Sequence, residues 1–550
     1  MPTLRQEERF LDDTYDGILI GAGHNALVLQ SYLGQAGLKT LCIERRAEPG
    51  GGLSTFEDPR HPGFLHNTHS FFHRALTDMP WYRDLELERH GARYIEPDLN
   101  AAMILSDGRL LEWWTDFDKT VEAFSRFSRK DAATLQRWRD AFVPVLEKVL
   151  VREQSAPPVE PDRRNELLGQ FPEGRLLLET SMLSPQEFVL REFEHPAVQA
   201  GLLFFNGLRE VDLRCRGFGH HIPALLASDK KAQMCIGGSA SLADALVSAV
   251  RSGGGDILLN TEPTRILVEN GRASGVQTSD GNRFQAREFV ASSLNPQQTF
   301  VNLMAPEDVS ASWREAAARF QYNSIGPLFG LNTALREPPR YTAALEYPHL
   351  AEAFMVIVGL DSYDTFPEIV RHHESGTIPP TVMWGASPTV FDPTQAPPGR
   401  HTAFMWEKLP YSLGGNPHSW DSERDGHGQA MLDVWRRYAP NMEEAVIDWF
   451  ARSPLDTERT FPNMHRGDLL VGSFAGDQIG FGRPFRGAGR YRGDADRLYL
   501  CGSSSHPGGN ITGLPGYNCA QVIYRDLGLV GSLELTDMES VLEVHGRHSN

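Results

Sequence analysis

Apolar runs alternate with polar, glycine-marked breaks along the chain, and the first clear break is the most informative. Residues 16–20 (DGILI) have the pattern of a buried strand, Gly21-Ala22-Gly23 forms a turn, and the residues from His24 begin a helical pattern that runs to about Ala36. A second strand pattern, 39–43, ends on Glu44. Long amphipathic helical patterns fill 80–232 and 300–496, with 131–150 the clearest. Between these two stretches, Gly237-Gly238-Ser239 opens a helix over 242–251, which Gly253 to Gly255 closes. Short strands at 264–268, 273–277 and 288–291 follow, broken by Asn270-Gly271 and Asp280-Gly281, so an antiparallel meander is expected there. The longest apolar run, 353–360, reads as a buried strand. Residues 498–501 read as another strand, which feeds a glycine loop and then a helix over 519–527.

Composition narrows the class. With 550 residues, 41% hydrophobic and 23% charged, the chain has the usual globular mix and room for a large core. Its net charge of −18 argues against nucleic acid as a partner. The five cysteines are odd in number and form no C-x-x-C pair, which excludes a disulfide framework and a zinc ribbon and fits a reducing, cytoplasmic setting. The N-terminal MPTLRQEERFLDDTYD is polar and lacks the apolar core of a leader, and no run approaches the length of a membrane span. A soluble protein is expected, with peripheral membrane contact left open. The segment SAPPVEP at 155–161 is the one linker-like stretch.

The glycines carry the chemistry. Strand, G-x-G-x-x-A turn, helix, strand and terminal acid stand in the order of a dinucleotide fold. Gly21 permits the tight turn, Gly23 lets backbone approach a pyrophosphate at the helix N-terminus, and Ala26 keeps helix and strand close. Glu44 can accept both hydroxyls of an adenosine ribose. A glycine turn between any strand and helix is the plainer alternative, but it does not account for the acid in register. Gly50-Gly51-Gly52 then exposes more backbone amides, which suits a second close approach along a cofactor longer than NAD, namely FAD. The helix after the C-terminal glycine loop offers a second anion site for the flavin O2 side.

IGAGHNALV, ERRAEPGGG, GGSASLADAL and above all LYLCGSSSHPGGNITGLPGYNCA resemble the phytoene desaturase-like FAD-dependent oxidoreductases. That group includes carotenoid desaturases, retinol saturase-like enzymes and pyridine nucleotide-disulfide oxidoreductase domain protein 2. The resemblance implies an α/β fold: a glutathione-reductase-type Rossmann FAD-binding domain with an interleaved α+β substrate domain. The FAD domain would take 1–79, 233–299 and 497–535, the substrate domain 80–232 (helical) and 300–496, and 536–550 would be a tail. It also implies that FAD is bordered by Gly21, Gly23, His24, Asn25, Ala26, Glu44, Arg45, Arg46, Gly50, Gly51, Gly52 and Leu53. Thr264 and Ile266 would lie on the adenine side, Gly502 and Ser503 on the pyrophosphate and ribityl chain, and Gly513, Leu514, Pro515 and Gly516 on the isoalloxazine. The chain departs from relatives at Gly52, where many carry arginine, and over 65–73, where an apolar stretch is replaced by LHNTHSFFH.

His66, His69 and His73 would share one face of a helix and could then hold a metal, but a role beside the flavin or plain hydrogen bonding is favoured over a metal site. His69 and His506 are the two candidate catalytic residues; for His506 a loop-stabilising role is at least an equal reading. The pairs His220-His221 and His372-His373 read as structural. Trp113-Trp114 and Phe204-Phe205 suit a core or an apolar tunnel wall. Arg137-Trp138-Arg139 lies among acids and reads as a solvated face. The expected reaction is dehydrogenation of a largely apolar small molecule by hydride transfer to flavin N5, with dioxygen or a quinone as electron acceptor. The alternatives are an amine or alcohol oxidase that releases peroxide and, less favoured, a non-enzymatic binder of prenylated proteins.

Overall fold

A computed structural model describes residues 14–204, 211–229, 232–474 and 476–548. The N-terminal segment read as leaderless, up to Asp13, and Phe205 lie outside the described residues.

Two seven-stranded sheets organise the chain. The first runs Asp256–Leu258, Thr40–Ile43, Thr14–Ile20, Arg283–Ser292, Arg272–Thr278, Pro263–Glu269, with Leu498–Leu500 also pairing Arg283–Ser292. Its nucleotide-side strands are parallel and largely buried, as crossover connections require. The last two pairings are antiparallel, which is the expected meander. Helices His24–Gln35, Ala240–Ser252 and Leu514–Leu527 share one core with this sheet. The second sheet runs Val446–Arg452, Leu328–Leu335, His401–Lys408, Met383–Ala386, Met355–Val358, Leu99–Ile104, Leu110–Trp114. One face meets the helices between Phe117 and Ala227, the other the long helix Trp420–Tyr438.

Several elements differ from the sequence reading. Asp256–Leu258 adds a parallel strand that its short, half-buried pattern does not reveal. The helix expected over 519–527 starts at Leu514, because Gly513 at φ 66° can turn the chain directly into it. The helical pattern of 131–150 is a helix Arg129–Val145 containing Pro144, followed by a π turn at Leu146–Leu150 and one α turn at Val151–Gln154. Residues 81–92 pack with the first sheet through Trp81, Tyr82, Leu85 and Leu87, so core packing crosses the expected boundary at 80. The expected helical stretch 80–232 also contributes two strands to the second sheet. The tail at 536–550 contains a helix, Met538–His548, whose Leu542 is buried in the helical core and whose Glu539 and Glu543 pair with Arg163.

The two halves are joined at one helix end. The carbonyls of Glu153, Gln154 and Ser155 lie where an α-helix runs out of N–H partners. They accept instead from His506 Nε2 (2.9 Å), Asn518 Nδ2 (3.0 Å) and Gln521 Nε2 (2.8 Å). The linker-like SAPPVEP is therefore anchored at its start.

Helices His24–Gln35 and Leu514–Leu527 cross at glycine: a Cβ on Gly516 would lie 1.9 Å from the Asn25 carbonyl oxygen. Gly516→Ala is expected to lower stability by more than about 2 kcal/mol, because backbone must move to admit the methyl. A thermal or urea denaturation midpoint unchanged from the parent would contradict this packing.

Candidate functional site

Two large cavities lie side by side, the first of them between the sheets. The first, about 730 Å³, runs from Glu44, Glu262 and Pro263 past Gly21, Gly23, Gly51, Gly502 and Ser503 to Asn510, Ile511 and Thr512. It continues to an aromatic wall of Phe71, Phe72, Trp384 and Trp406. The second, about 810 Å³, extends from Phe72, Arg74 and Gln154 into the helical part of the chain.

The first cavity has the shape of a dinucleotide cradle. Gly23 caps the helix His24–Gln35 with no side-chain cap, leaving its N-terminal amides available to an anion. A Cβ on Gly23 would meet nothing within 4 Å, so open space lies in front of this turn. Gly51, at φ 61°, faces it, with a Cβ position 3.3 Å from Gly23 Cα. Glu44 is buried, and its carboxylate accepts from the amides of Ala22 (2.8 Å) and Arg46 (2.9 Å), which fixes both oxygens while leaving lone pairs for hydroxyls. Asn25 Nδ2 donates to Ser503 Oγ (3.1 Å), while Asn25 Oδ1 is buried with no hydrogen-bond partner. That orphaned acceptor and the glycine slot fit a long dinucleotide.

Of the residues expected at the cofactor, Gly21, Gly23, His24, Asn25, Glu44, Arg45, Arg46, Gly51, Gly52, Gly502 and Ser503 line this cavity. Ala26 and Leu53 are buried behind it in the core. Gly50 is also set back: its N–H donates to Ala22 O, and a Cβ would strike Ala243. Thr264 and Ile266 do not line it: Thr264 Oγ1 donates to Gln277 O, and the Ile266 N–H is taken by Leu303 O. Glu262 and Pro263, at the start of that strand, line it in their place. Gly513, Leu514, Pro515 and Gly516 are likewise absent from the lining, because Gly513 packs on Trp81 and Gly516 on Asn25. Asn510, Ile511 and Thr512, just before them in the chain, take that place, with Thr512 O held by Trp81 Nε1 at 2.6 Å. The positive φ values of Asn510 and Gly513 reverse the chain here, a turn that Asn-x-x-Gly permits.

The histidines do not form a metal site; no group of three or more suitable ligands occurs among the described residues. His66 lies in strand Leu65–Asn67, His69 in a loop and His73 in strand His73–Arg74, so the helical spacing is not realised. His69 lines the cavity, held by Thr68 Oγ1 (2.8 Å) and Thr457 Oγ1 (3.3 Å). Burial, reinforced by Arg452 and Arg46, holds its pKa well below the usual value. Burial likewise lowers His24 and His66 to about 4 and His73 to about 3. His506 lies on the second cavity, and its Nε2–H donates to Glu153 O, which makes it a cap. His220 bonds Ser181 Oγ (2.9 Å), and His373 bonds the carbonyls of Ser324 and Lys408. Arg137 and Trp138 both bond Glu192, as a mixed-charge face does.

A family model described as an NAD(P)-binding Rossmann-like domain matches residues 19–85. A limonene dehydrogenase polypeptide of Castellaniella defragrans is 30% identical over 94% of this chain and 95% of its own. The chain belongs to the phytoene desaturase-like family. Pyridine nucleotide-disulfide oxidoreductase domain-containing protein 2 of Mus musculus is 28% identical over 94% of both chains. Among solved structures, cyclohexylamine oxidase from Brevibacterium oxydans has a TM-score of 0.59 at 15% identity, covering 94% of this chain and 99% of that one, which is a likeness of fold. As a member of this family the chain is an FAD-dependent oxidoreductase acting on a small molecule, with a Rossmann-type α/β nucleotide part.

Glu44→Ala is expected to weaken FAD retention at least about tenfold, since it removes acceptors for ribose and two backbone amides; the flavin-to-protein absorbance ratio after dialysis measures it. Stability should also fall on acidification. Unfolded histidines protonate near pH 6.5, while buried His24, His66 and His73 stay neutral to about pH 4, 4 and 3. Between these limits each favours the unfolded chain by up to about 1.4 kcal/mol per pH unit. Melting temperatures measured from pH 7.5 down to 5 should drop below pH 6.5.

Proposed function

We propose that this enzyme dehydrogenates a largely apolar small molecule: a carbon held against the flavin would give up hydride to it, and the neighbouring carbon would release a proton to solvent. One observation carries the reading: the cofactor cradle and an adjoining cavity, which share Phe72, Leu146 and Gln154 in their linings, have mostly apolar walls and lack a free carboxylate away from the ribose end. The acids lining the first cavity are Glu44, Glu48 and Glu262, all toward the ribose end. Glu153 in the second is bound twice by Arg164, at 2.6 and 2.8 Å. Both volumes fall in the range of small-molecule sites.

FAD, when bound, supplies the hydride acceptor. Gly21, Gly23, Gly51 and the helix N-terminus would hold its pyrophosphate, Glu44 its ribose, and Asn510 to Thr512 the flavin end. Phe71, Phe72, Trp384 and Trp406 exclude water and press an apolar substrate into place. His69, with both ring nitrogens bonded and its pKa depressed, serves as a fixed neutral wall rather than as the proton acceptor. Dioxygen or a quinone would be the final electron acceptor.

The mostly apolar lining of both cavities favours this reading over an amine oxidase, whose substrate carries a polar nitrogen. The intact glycine cradle favours a flavoenzyme over a binder of prenylated proteins. No helix among the described residues is long and apolar enough to cross a membrane.

Limonene, taken from the relative's name, and cyclohexylamine are informative opposites. Mixed anaerobically with the purified flavoprotein, limonene or a similar hydrocarbon should bleach the visible flavin band, and the amine should not. Bleaching by the amine alone, with peroxide release on readmitting air, would overturn the proposal.

A further inference from the structure

One polar side chain shared by the linings of the two cavities has no hydrogen-bond partner among the described residues. Gln154 lines both cavities, and its side-chain amide makes no hydrogen bond among the described residues. Its backbone is fixed: the Gln154 carbonyl accepts from Asn518, and the carbonyls on either side accept from His506 and Gln521. A π turn, a feature common at functional sites, stands just before it, and Leu146, Leu150 and Gln154, spaced four apart, all reach cavity walls.

Several other polar groups of the second cavity are already matched, although His506 Nδ1 is buried without a partner among the described residues. Arg164 holds Glu153, Ser181 bonds His220, and Asn100 bonds Thr115 and the Ala232 amide. An apolar molecule lying against this shared wall would therefore leave the Gln154 amide desolvated and unpaired. We infer that Gln154 is a specificity-determining residue that binds a single oxygen function, hydroxyl or carbonyl, on an otherwise hydrocarbon substrate. The amide has both N–H donors and a carbonyl acceptor, so it can serve either group. A site built to pair with such an oxygen discriminates against the analogue that lacks it. This inference rests on the apolar-substrate reading above and adds the one polar contact that reading leaves out.

The test uses three molecules with one carbon skeleton: limonene, the alcohol carveol and the ketone carvone. Binding to the oxidised holoenzyme is followed by perturbation of the flavin visible spectrum, which requires no turnover. The parent enzyme should bind carveol and carvone about tenfold or more tightly than limonene. Gln154→Leu should abolish that preference, weakening carveol and carvone and tightening limonene, since the desolvation cost of the amide is gone. Gln154→Glu, which accepts but does not donate when ionised, should retain carveol and lose carvone. The inference is overturned if Gln154→Leu weakens all three equally, if it shifts the ligand-free flavin spectrum, or if the parent enzyme shows no preference for the oxygenated pair. Failure of all three molecules to bind would overturn the apolar-substrate reading together with this one.

Discussion

A helix end cannot satisfy its last carbonyls, and in this protein the two functional walls are joined by how that need is met. Glu153, Gln154 and Ser155 belong to the substrate side, while His506, Asn518 and Gln521, which bond their carbonyls, belong to the segment that closes the cofactor cradle. Each bond has a modest net value of about 1 kcal/mol, but a buried carbonyl left without a donor costs more than the bond contributes. The wall of the substrate cavity is thus held in register with the cofactor cradle, and the wall shared by the two cavities is built at this junction. His506 belongs to that register through its Nε2.

Close backbone approach is the second constraint. A Cβ at Gly502 would lie 2.1 Å from Ser293 O, and one at Gly513 would lie 2.5 Å from Trp81. With Gly516 against Asn25, these glycines pack segments against one another, and the space for a cofactor remains only where Gly23 and Gly51 leave it. Glycine-rich motifs therefore mix two roles in one string: some residues expose amides to the ligand, and others let the scaffold close behind it.

This mixture explains how much of the molecule is legible in the chain. Gly21, Gly23 and Glu44 are legible because a strand, a turn and an acid in fixed order leave few alternatives, and the two-part, interleaved architecture follows from motifs that recur at distant positions. Gly513 to Gly516 stand just past the residues that line the cavity, since nothing local distinguishes a glycine facing a cofactor from one facing Trp81. The strand pattern centres on Ile266, yet it is the strand's first residue, Pro263, that reaches the cavity. Trp384, Trp406, Lys408 and Gln154 have no local signal; they meet only through the second sheet and the π turn. The histidine spacing at 66, 69 and 73 suggests a helix, but strand pairing of Leu65–Asn67 with Thr55–Glu57 prevails.

The helix Met538–His548 has a consequence for how the molecule is made. Met538 lines the second cavity and Leu542 completes the helical core that began forming with Phe117 and Phe124. The strand Thr14–Ile20 likewise finds one parallel neighbour at Thr40–Ile43 early, but the other only at Arg283–Ser292. During synthesis, which proceeds from the N-terminus, the helical layer stays unsealed until residue 542 has emerged, so its apolar lining faces water longest.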